Sequence, residues 1–246
     1  MKTFFFTKRG VGDKLFIVFN SHANLAHEDS SQGNSTQLEG YNFFKSQNSN
    51  VIWIAEERCS WYTNNEVKIQ IYLSTFIKKN NIRKVILFGL SAGGFASLRF
   101  ACIISEKFHA QSNFEVVSIA VNTQTGFRDD LIAKAMHLGH AMQWQKGLLG
   151  QDPILLKSED YGGELFPLEK IDIIFQMDFY SKFIRNAKFN ILYDSLNPYE
   201  KVFADDIKGE NIYKHPFAYG LAHGDGCKQI FKILTEYNLL QKFVKL

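Results

Sequence analysis

The sequence predicts a doubly wound, mostly parallel α/β sheet with a helical cap insertion, and two observations lead to this fold class. Short apolar runs recur along the chain, and patterns of helical period fall between most of them. Runs rich in β-branched and aromatic residues are typical of strands buried on both faces of a parallel sheet. Strands that alternate with helices favour a sheet covered by helices on both faces.

Five apolar runs and a sixth, weaker one predict the strands. In chain order they cover 15–19, 51–55, 85–88, 114–121, 189–193 and, for the weaker run, 211–216. Helices are expected between or after these strands at 66–80, 92–105 and 226–244.

The chain of 246 residues is close to the upper size of one hydrophobic core, so a single domain over 1–246 is expected. Residues 125–181 break the alternation and are too many for a plain strand-to-helix connection. We interpret them as a cap inserted over the carboxyl edge of the sheet. The alternative is one ordinary helix followed by a surface loop.

The net charge is only +3 and the basic residues are scattered, which argues against a nucleic-acid partner. The three cysteines are widely spaced and form no CxxC pair, so neither a disulfide framework nor a zinc site is expected. His137 and His140 lie three residues apart in the predicted cap, but no further metal ligand accompanies them.

The apolar run at 4–6 is short and flanked by charges, unlike the core of a signal peptide. No stretch has the apolar length of a transmembrane segment. We therefore expect a cytoplasmic protein, with a position peripheral to a membrane assembly left open.

The strongest motif is Gly-x-Ser-x-Gly at 89–93, between the strand 85–88 and the helix 92–105. In this context the pattern indicates a nucleophile elbow, a sharp turn that exposes Ser91 at the top of the sheet. The backbone N–H of Ala92, at the start of the helix, would be one donor of an oxyanion hole. The alternative is a phosphate-binding turn, but neither its Gly-x-Gly-x-x-Gly pattern nor a Walker lysine is present.

A serine nucleophile needs a histidine base and a carboxylate that orients it, and in such folds the acid precedes the histidine in the chain. Asp194 ends the strand 189–193 and is the predicted acid, in preference to Asp178, Asp205 and Asp206. His223 lies between glycines after the last predicted strand and is the predicted base, in preference to His215.

The second oxyanion donor is expected from the segment that follows the strand 15–19. The backbone amide of Ser21 or His22 would serve, and the alternative is a plain strand exit. Sugar binding would suit Arg58, Trp61, Tyr62 and Trp144, although aromatic residues at such places are equally typical of a core.

Together, the elbow, the strand-end aspartate and the glycine-flanked histidine resemble the α/β-hydrolase superfamily over about residues 13–240. Within it the chain resembles bacterial capsule and surface-polysaccharide O-acetyltransferases and related esterases. This finer resemblance is carried by the segments 19–21, 58–62 and 222–225. Relatives often have an acidic residue where this chain has Cys59.

The resemblance implies an acyl-enzyme at Ser91 and transfer of the acyl group to a sugar hydroxyl or to water. A serine O-acetyltransferase acting on a carbohydrate, with acetyl-CoA as co-substrate and no bound cofactor, is the first hypothesis. The second is a carboxylesterase or deacetylase that acts on a small acyl ester with the same triad. The third is a non-catalytic glycan-binding or assembly protein on a hydrolase scaffold. The sequence does not specify the oligomeric state.

Overall fold

The structure is a computed structural model that describes residues 2–21, 38–57, 61–62, 64–123, 186–209 and 211–245. The expected cap insertion at 125–181 lies outside the described residues, and the prediction of a cap therefore stays a prediction.

The described residues form one seven-stranded sheet in the order β1-β3-β2-β4-β5-β6-β7. β1 pairs with β3 in antiparallel fashion, and all other neighbouring pairs are parallel. The predicted mostly parallel α/β sheet is therefore confirmed. The strands are β1 (Thr3–Lys8), β2 (Lys14–Phe19), β3 (Asn50–Glu56), β4 (Lys84–Leu90), β5 (Glu115–Val121), β6 (Ala187–Asp194) and β7 (Ile212–Phe217).

Helices connect or follow most of these strands. They are α1 (Tyr41–Ser46), α2 (Glu66–Lys79), α3 (Ala92–Phe108), α4 (Pro198–Asp206), α5 (His223–Glu236) and α6 (Leu240–Lys245). The last two replace the single helix expected at 226–244. The helix breaks where Asn238 takes a φ of 52°, a left-handed conformation that an α-helix cannot contain. Within the described ranges, no helix combines the length and apolar character needed to cross a membrane.

Three elements were not predicted from the sequence. β1 contains the apolar run 4–6, which is short and flanked by charges, and it forms the antiparallel edge of the sheet. α1 and α4 have only six and nine residues, too few for a clear helical period.

The core lies on both faces of the sheet because successive strand side chains point to opposite sides. Along β2, Leu15, Ile17 and Phe19 join the cluster that includes α2 and α3. Phe16 and Val18 join the cluster on the other face, which includes α5. Because the faces of the sheet are covered by helices, the carboxyl ends of the parallel strands form the edge that stays accessible. Ligands bind at this edge in open α/β sheets.

β4 and α3 meet at very short range. A methyl group added to Gly89 would lie 2.1 Å from the carbonyl carbon of Gly93, and one added to Gly93 would lie 2.4 Å from the carbonyl oxygen of Phe19. Because these neighbours are backbone atoms, no side-chain movement relieves the clash. Glycine at both positions lets the chain turn from strand to helix within a single residue, Ser91.

We predict that Gly89→Ala lowers the free energy of unfolding by about 3 kcal/mol, because the added methyl group must push strand and helix apart. Gly224→Ala is the matched control, since among the described residues a methyl group at Gly224 meets no atom within 4 Å beyond its chain neighbours and its own helix backbone. Urea unfolding of both variants measures the difference. Equal stability of the two variants would show that close backbone contact does not shape the turn.

Candidate active site

Ser91 is the residue at the turn between β4 and α3. Its φ of 52° and ψ of −121° lie in a region that residues with side chains rarely occupy, and such strain costs on the order of 1–3 kcal/mol. The turn is held from the next strand, because the Ser91 N–H donates to the Val121 carbonyl at 2.9 Å. The sequence motif predicted a strained serine at this point.

His223 is the first residue of α5 and lies beside this serine. Its Nε2 is 2.8 Å from Ser91 Oγ, and its Nδ1 is 2.5 Å from Oε1 of Glu200. When Glu200 is ionised its oxygens only accept hydrogen bonds, so that Nδ1–H donates to Glu200 and Nε2 accepts from the serine hydroxyl. The three side chains form a continuous hydrogen-bonded serine–histidine–carboxylate network, although 132 positions separate Ser91 from His223.

Glu200 belongs to the first turn of α4 and its side chain is completely buried. Burial raises the pKa of its carboxyl, and the negative charge of Asp194 acts in the same direction, whereas His223 opposes both effects. Its Oε2 has no hydrogen-bond partner among the described residues. A buried carboxylate with one strong partner interacts strongly with charge on the imidazole, because little solvent screens the pair.

Asp194, the predicted acid, does not contact His223 through its hydrogen bonds. Its Oδ1 accepts the N–H groups of Leu196, Tyr219 and Gly220 at 3.0–3.1 Å, and its Oδ2 accepts that of Leu221 at 2.9 Å. All of these are backbone donors on segments around the base. Glu200, and not the predicted acid Asp194, is therefore the carboxylate that contacts His223, whereas Asp194 anchors the loop that precedes it.

Sequence reasoning missed Glu200 because the acid was sought at a strand end. The available signal was Asn197-Pro198, which marks the start of a helix immediately after β6. A carboxylate in the first turn of that helix remains at the carboxyl edge of the sheet. Glu200 is the only acidic residue in that turn.

Ala92 and Ser21 were the predicted oxyanion donors within the described residues. Ala92 opens α3, where the first backbone N–H groups have no partner within the helix. The Ser21 N–H is directed to Oε2 of Glu39 at 3.4 Å, and the Ser21 hydroxyl donates to the same oxygen at 2.9 Å. In this arrangement both the N–H and the hydroxyl of Ser21 are directed at Glu39. His22 lies outside the described residues.

The predicted sugar-binding residues fall into two groups. Arg58 and Trp144 lie outside the described residues. Trp61 and Tyr62 are only 2% and 3% exposed, and the Tyr62 hydroxyl bonds to the carbonyls of Asn20 and Ile54. These two aromatic side chains pack in the interior, so the structure favours the alternative that they belong to the core.

His215, the rival base, lies on β7 and takes no part in the chain around Ser91. Its Nε2 is 3.0 Å from Oδ1 of Asn190, and its ring packs edge-on against Phe243. Burial lowers the pKa of its imidazole below the ordinary value of 6.5. His215 therefore packs between β6 and α6 and is not part of the hydrogen-bonded group at Ser91.

The described cysteines are unsuited to nucleophilic chemistry. Burial raises the pKa of Cys102 to about 12 and that of Cys227 well above its ordinary value. Neither of the two takes part in a disulfide within the part of the chain that the structure describes. Among the described residues, no group of three or more His, Cys, Asp or Glu side chains is arranged to hold a metal ion.

Several solved structures are similar to this fold. Carboxyl esterase 2 from the fungus Tuber melanosporum superposes with a TM-score of 0.54 at 14% identity, over 98% of this chain and 80% of that one. The chain has the α/β-hydrolase fold. This conclusion rests on the likeness together with the sheet order and the strained serine between β4 and α3.

Other α/β-hydrolase-like structures superpose less closely. A carboxylesterase from the thaumarchaeon Nitrososphaera gargenis gives a TM-score of 0.48 at 12% identity, over 99% of this chain and 95% of that one. MenH from S. aureus gives 0.46 at 17% identity, over 94% of this chain and 98% of that one. No family model and no curated protein matches the sequence.

The environment of His215 predicts a pH dependence of stability. Because burial lowers the pKa of His215 in the folded state, folding favours its neutral imidazole. This contribution to the free energy of unfolding is fully present above the ordinary pKa of 6.5 and is lost as the pH falls through the lower pKa of the folded state. We expect the free energy of unfolding to fall more in the wild type than in His215→Gln when the pH is lowered from 8 to 5. Urea unfolding at both pH values measures it.

His109→Gln is the control, because His109 is an exposed residue at the end of α3. A pH shift of equal size in both variants would show that burial of His215 is not the cause.

Proposed function

We propose that this α/β-hydrolase-fold protein is a serine hydrolase of carboxylic esters that works through an acyl-enzyme on Ser91. The observation that carries the proposal is the buried chain from Ser91 Oγ through His223 to Glu200, with distances of 2.8 Å and 2.5 Å. Serine, histidine and carboxylate in this order form the machinery of acyl transfer on several unrelated folds.

Acylation begins when Ser91 Oγ attacks the ester carbonyl carbon and its proton passes to His223 Nε2. Glu200 stabilises the imidazolium that forms, and the N–H of Ala92 donates to the developing oxyanion. The tetrahedral intermediate collapses as the alcohol leaves with the proton from His223. Water then attacks the acyl-enzyme with His223 again as base, which releases the acid and restores the serine.

Burial of the three side chains supports this mechanism. Ser91 and His223 are 8% and 4% exposed, and Glu200 is 1% exposed. A dry environment strengthens the attraction between a carboxylate and an imidazolium, which exists only after proton transfer. The energy of the pair is therefore available mainly in the transition state.

Transfer of an acetyl group from acetyl-CoA to a carbohydrate hydroxyl is the finer alternative. It would use the same acyl-enzyme with a sugar in place of water, and the resemblance of the segments 19–21, 58–62 and 222–225 supports it. Burial of Trp61 and Tyr62 removes two of the side chains that suited a sugar site. Hydrolysis needs no such site, and we place it first.

We predict that Ser91→Ala abolishes turnover of p-nitrophenyl acetate and also labelling by a fluorophosphonate. Ser105→Ala is the matched control: Ser105 is buried in the same helix, and its hydroxyl makes no hydrogen bond within the described residues. Release of p-nitrophenol and the intact-protein mass measure the two effects. Unchanged turnover in Ser91→Ala would overturn the proposed function.

Wild type and Ser91→Ala also distinguish hydrolysis from acyl transfer. Acetyl-CoA without an acceptor should leave no lasting adduct on a hydrolase, because water deacylates it. An acetyl adduct that persists on the wild type and is absent from Ser91→Ala would instead favour a transferase.

We predict that Glu200→Gln lowers kcat for p-nitrophenyl acetate by about 10³- to 10⁴-fold with little change in KM. The reason is that the neutral amide of glutamine does not stabilise the imidazolium as the carboxylate does. Asp205→Asn is the control, since Asp205 lies on the same helix but faces solvent and pairs with Lys201. A small loss in Glu200→Gln beside a large loss in Asp205→Asn would reassign the acid.

A further inference from the structure

We propose that Asn197 is a positioning residue that couples the carboxylate Glu200 to the base His223. The inference rests on the proposed function and adds a residue to it. It comes from the turn between β6 and α4, residues 194–197, whose two buried polar side chains reach both the helix of the acid and the loop of the base.

The first half of the coupling is a helix cap. Asn197 is 3% exposed, and its Oδ1 accepts the N–H of Tyr199 at 3.0 Å. It is thus the N-cap of α4, and Glu200 is the third residue of that helix. An N-cap of this kind fixes the first turn of a helix, which here is the turn that carries the carboxylate.

The second half reaches the base. Nδ2 of the same Asn197 side chain donates to the Leu221 carbonyl at 2.8 Å, two residues before His223. One amide group therefore uses its oxygen on the helix of the acid and its nitrogen on the loop of the base. A change in the orientation of this amide moves both partners of the Glu200–His223 contact.

Asp194 binds the other backbone group of Leu221. Its Oδ2 accepts the Leu221 N–H at 2.9 Å, so both backbone groups of Leu221 are bound by side chains of the 194–197 turn. The turn is itself closed by a hydrogen bond from the Asn197 N–H to the Asp194 carbonyl at 3.1 Å.

Side-chain packing contributes little to holding this loop. Gly220, Leu221 and Ala222 are all exposed, whereas His223, which follows at once, is 4% exposed. Polar contacts from the 194–197 turn therefore set where the chain enters α5. Misplacement of a reacting group by about 1 Å is enough to lower a rate by about 10²-fold.

Asn197→Ser tests the coupling. Serine is also a good N-cap, so it keeps the contact with α4, but its side chain is too short to reach the Leu221 carbonyl. We expect kcat for p-nitrophenyl acetate to fall by about 10²-fold with KM nearly unchanged. Hydrogen exchange of the 219–223 amides should become faster, while the melting temperature stays close to that of the wild type.

Asn197→Ala and Ile69→Val serve as comparisons. Asn197→Ala loses the cap as well and should have a lower melting temperature than Asn197→Ser, with a loss of kcat at least as large. Ile69 is a buried core residue of α2, remote in sequence from the turn. Ile69→Val should lower the melting temperature and leave kcat unchanged, which separates positioning from general loss of stability.

The outcomes distinguish the two proposals. If Ser91→Ala is inactive and Asn197→Ser keeps kcat within about twofold of the wild type, the positioning role is overturned and the serine mechanism stands. If Ser91→Ala retains full turnover, both proposals fall. A loss of kcat in Asn197→Ser together with faster exchange at 219–223 supports the coupling.

Discussion

The close approach of β4 to α3 is the constraint on which the candidate site depends. Gly89 and Gly93 let backbone atoms meet where any side chain would clash, and Ser91 takes up the turn in a strained conformation. The strain is sustained by the packing around it, since fourteen residues of α3 are buried and the Ser91 N–H is bonded to β5. Ser91 Oγ then lies 2.8 Å from Nε2 of His223, although 132 positions separate the two residues in the chain.

Three of the buried carboxylates in the described part of the chain, Asp194, Glu39 and Glu200, differ in their hydrogen-bond partners. Asp194 accepts four backbone N–H groups, and Glu39 holds Ser21. Glu200 relies on His223, and burial raises its pKa. A buried carboxylate is costly without donors, so well-bonded ones serve as anchors. Glu200, which has the fewest hydrogen bonds of the three, is the one that contacts His223, and in the proposed mechanism its charge stabilises the proton that His223 accepts.

Sequence patterns predicted the parallel strands and the larger helices to within a few residues, because short runs of β-branched and aromatic residues between turns strongly favour buried strands. The elbow motif was found because Gly89 and Gly93 mark backbone that a side chain would obstruct, and His223 was found by its place between glycines after the last predicted strand. The catalytic roles of Ser91 and His223 remain predictions, although the two side chains are in contact. The contact of Glu200 with His223 was not predicted because Asp194 and Glu200 lie only six positions apart, and only three-dimensional contacts show which carboxylate faces the imidazole. The short elements β1, α1 and α4 carry too few residues for a period to emerge.

The burial of α3 has a consequence for how the protein loses its structure. Segments packed on all sides open only with the whole fold, whereas exposed backbone opens locally at much lower free energy. Ser91 is attached to the first kind of segment, and His223 follows three exposed residues of the second kind. On warming, we therefore expect the contact between His223 and Ser91 to be lost while the sheet is still intact, before global unfolding.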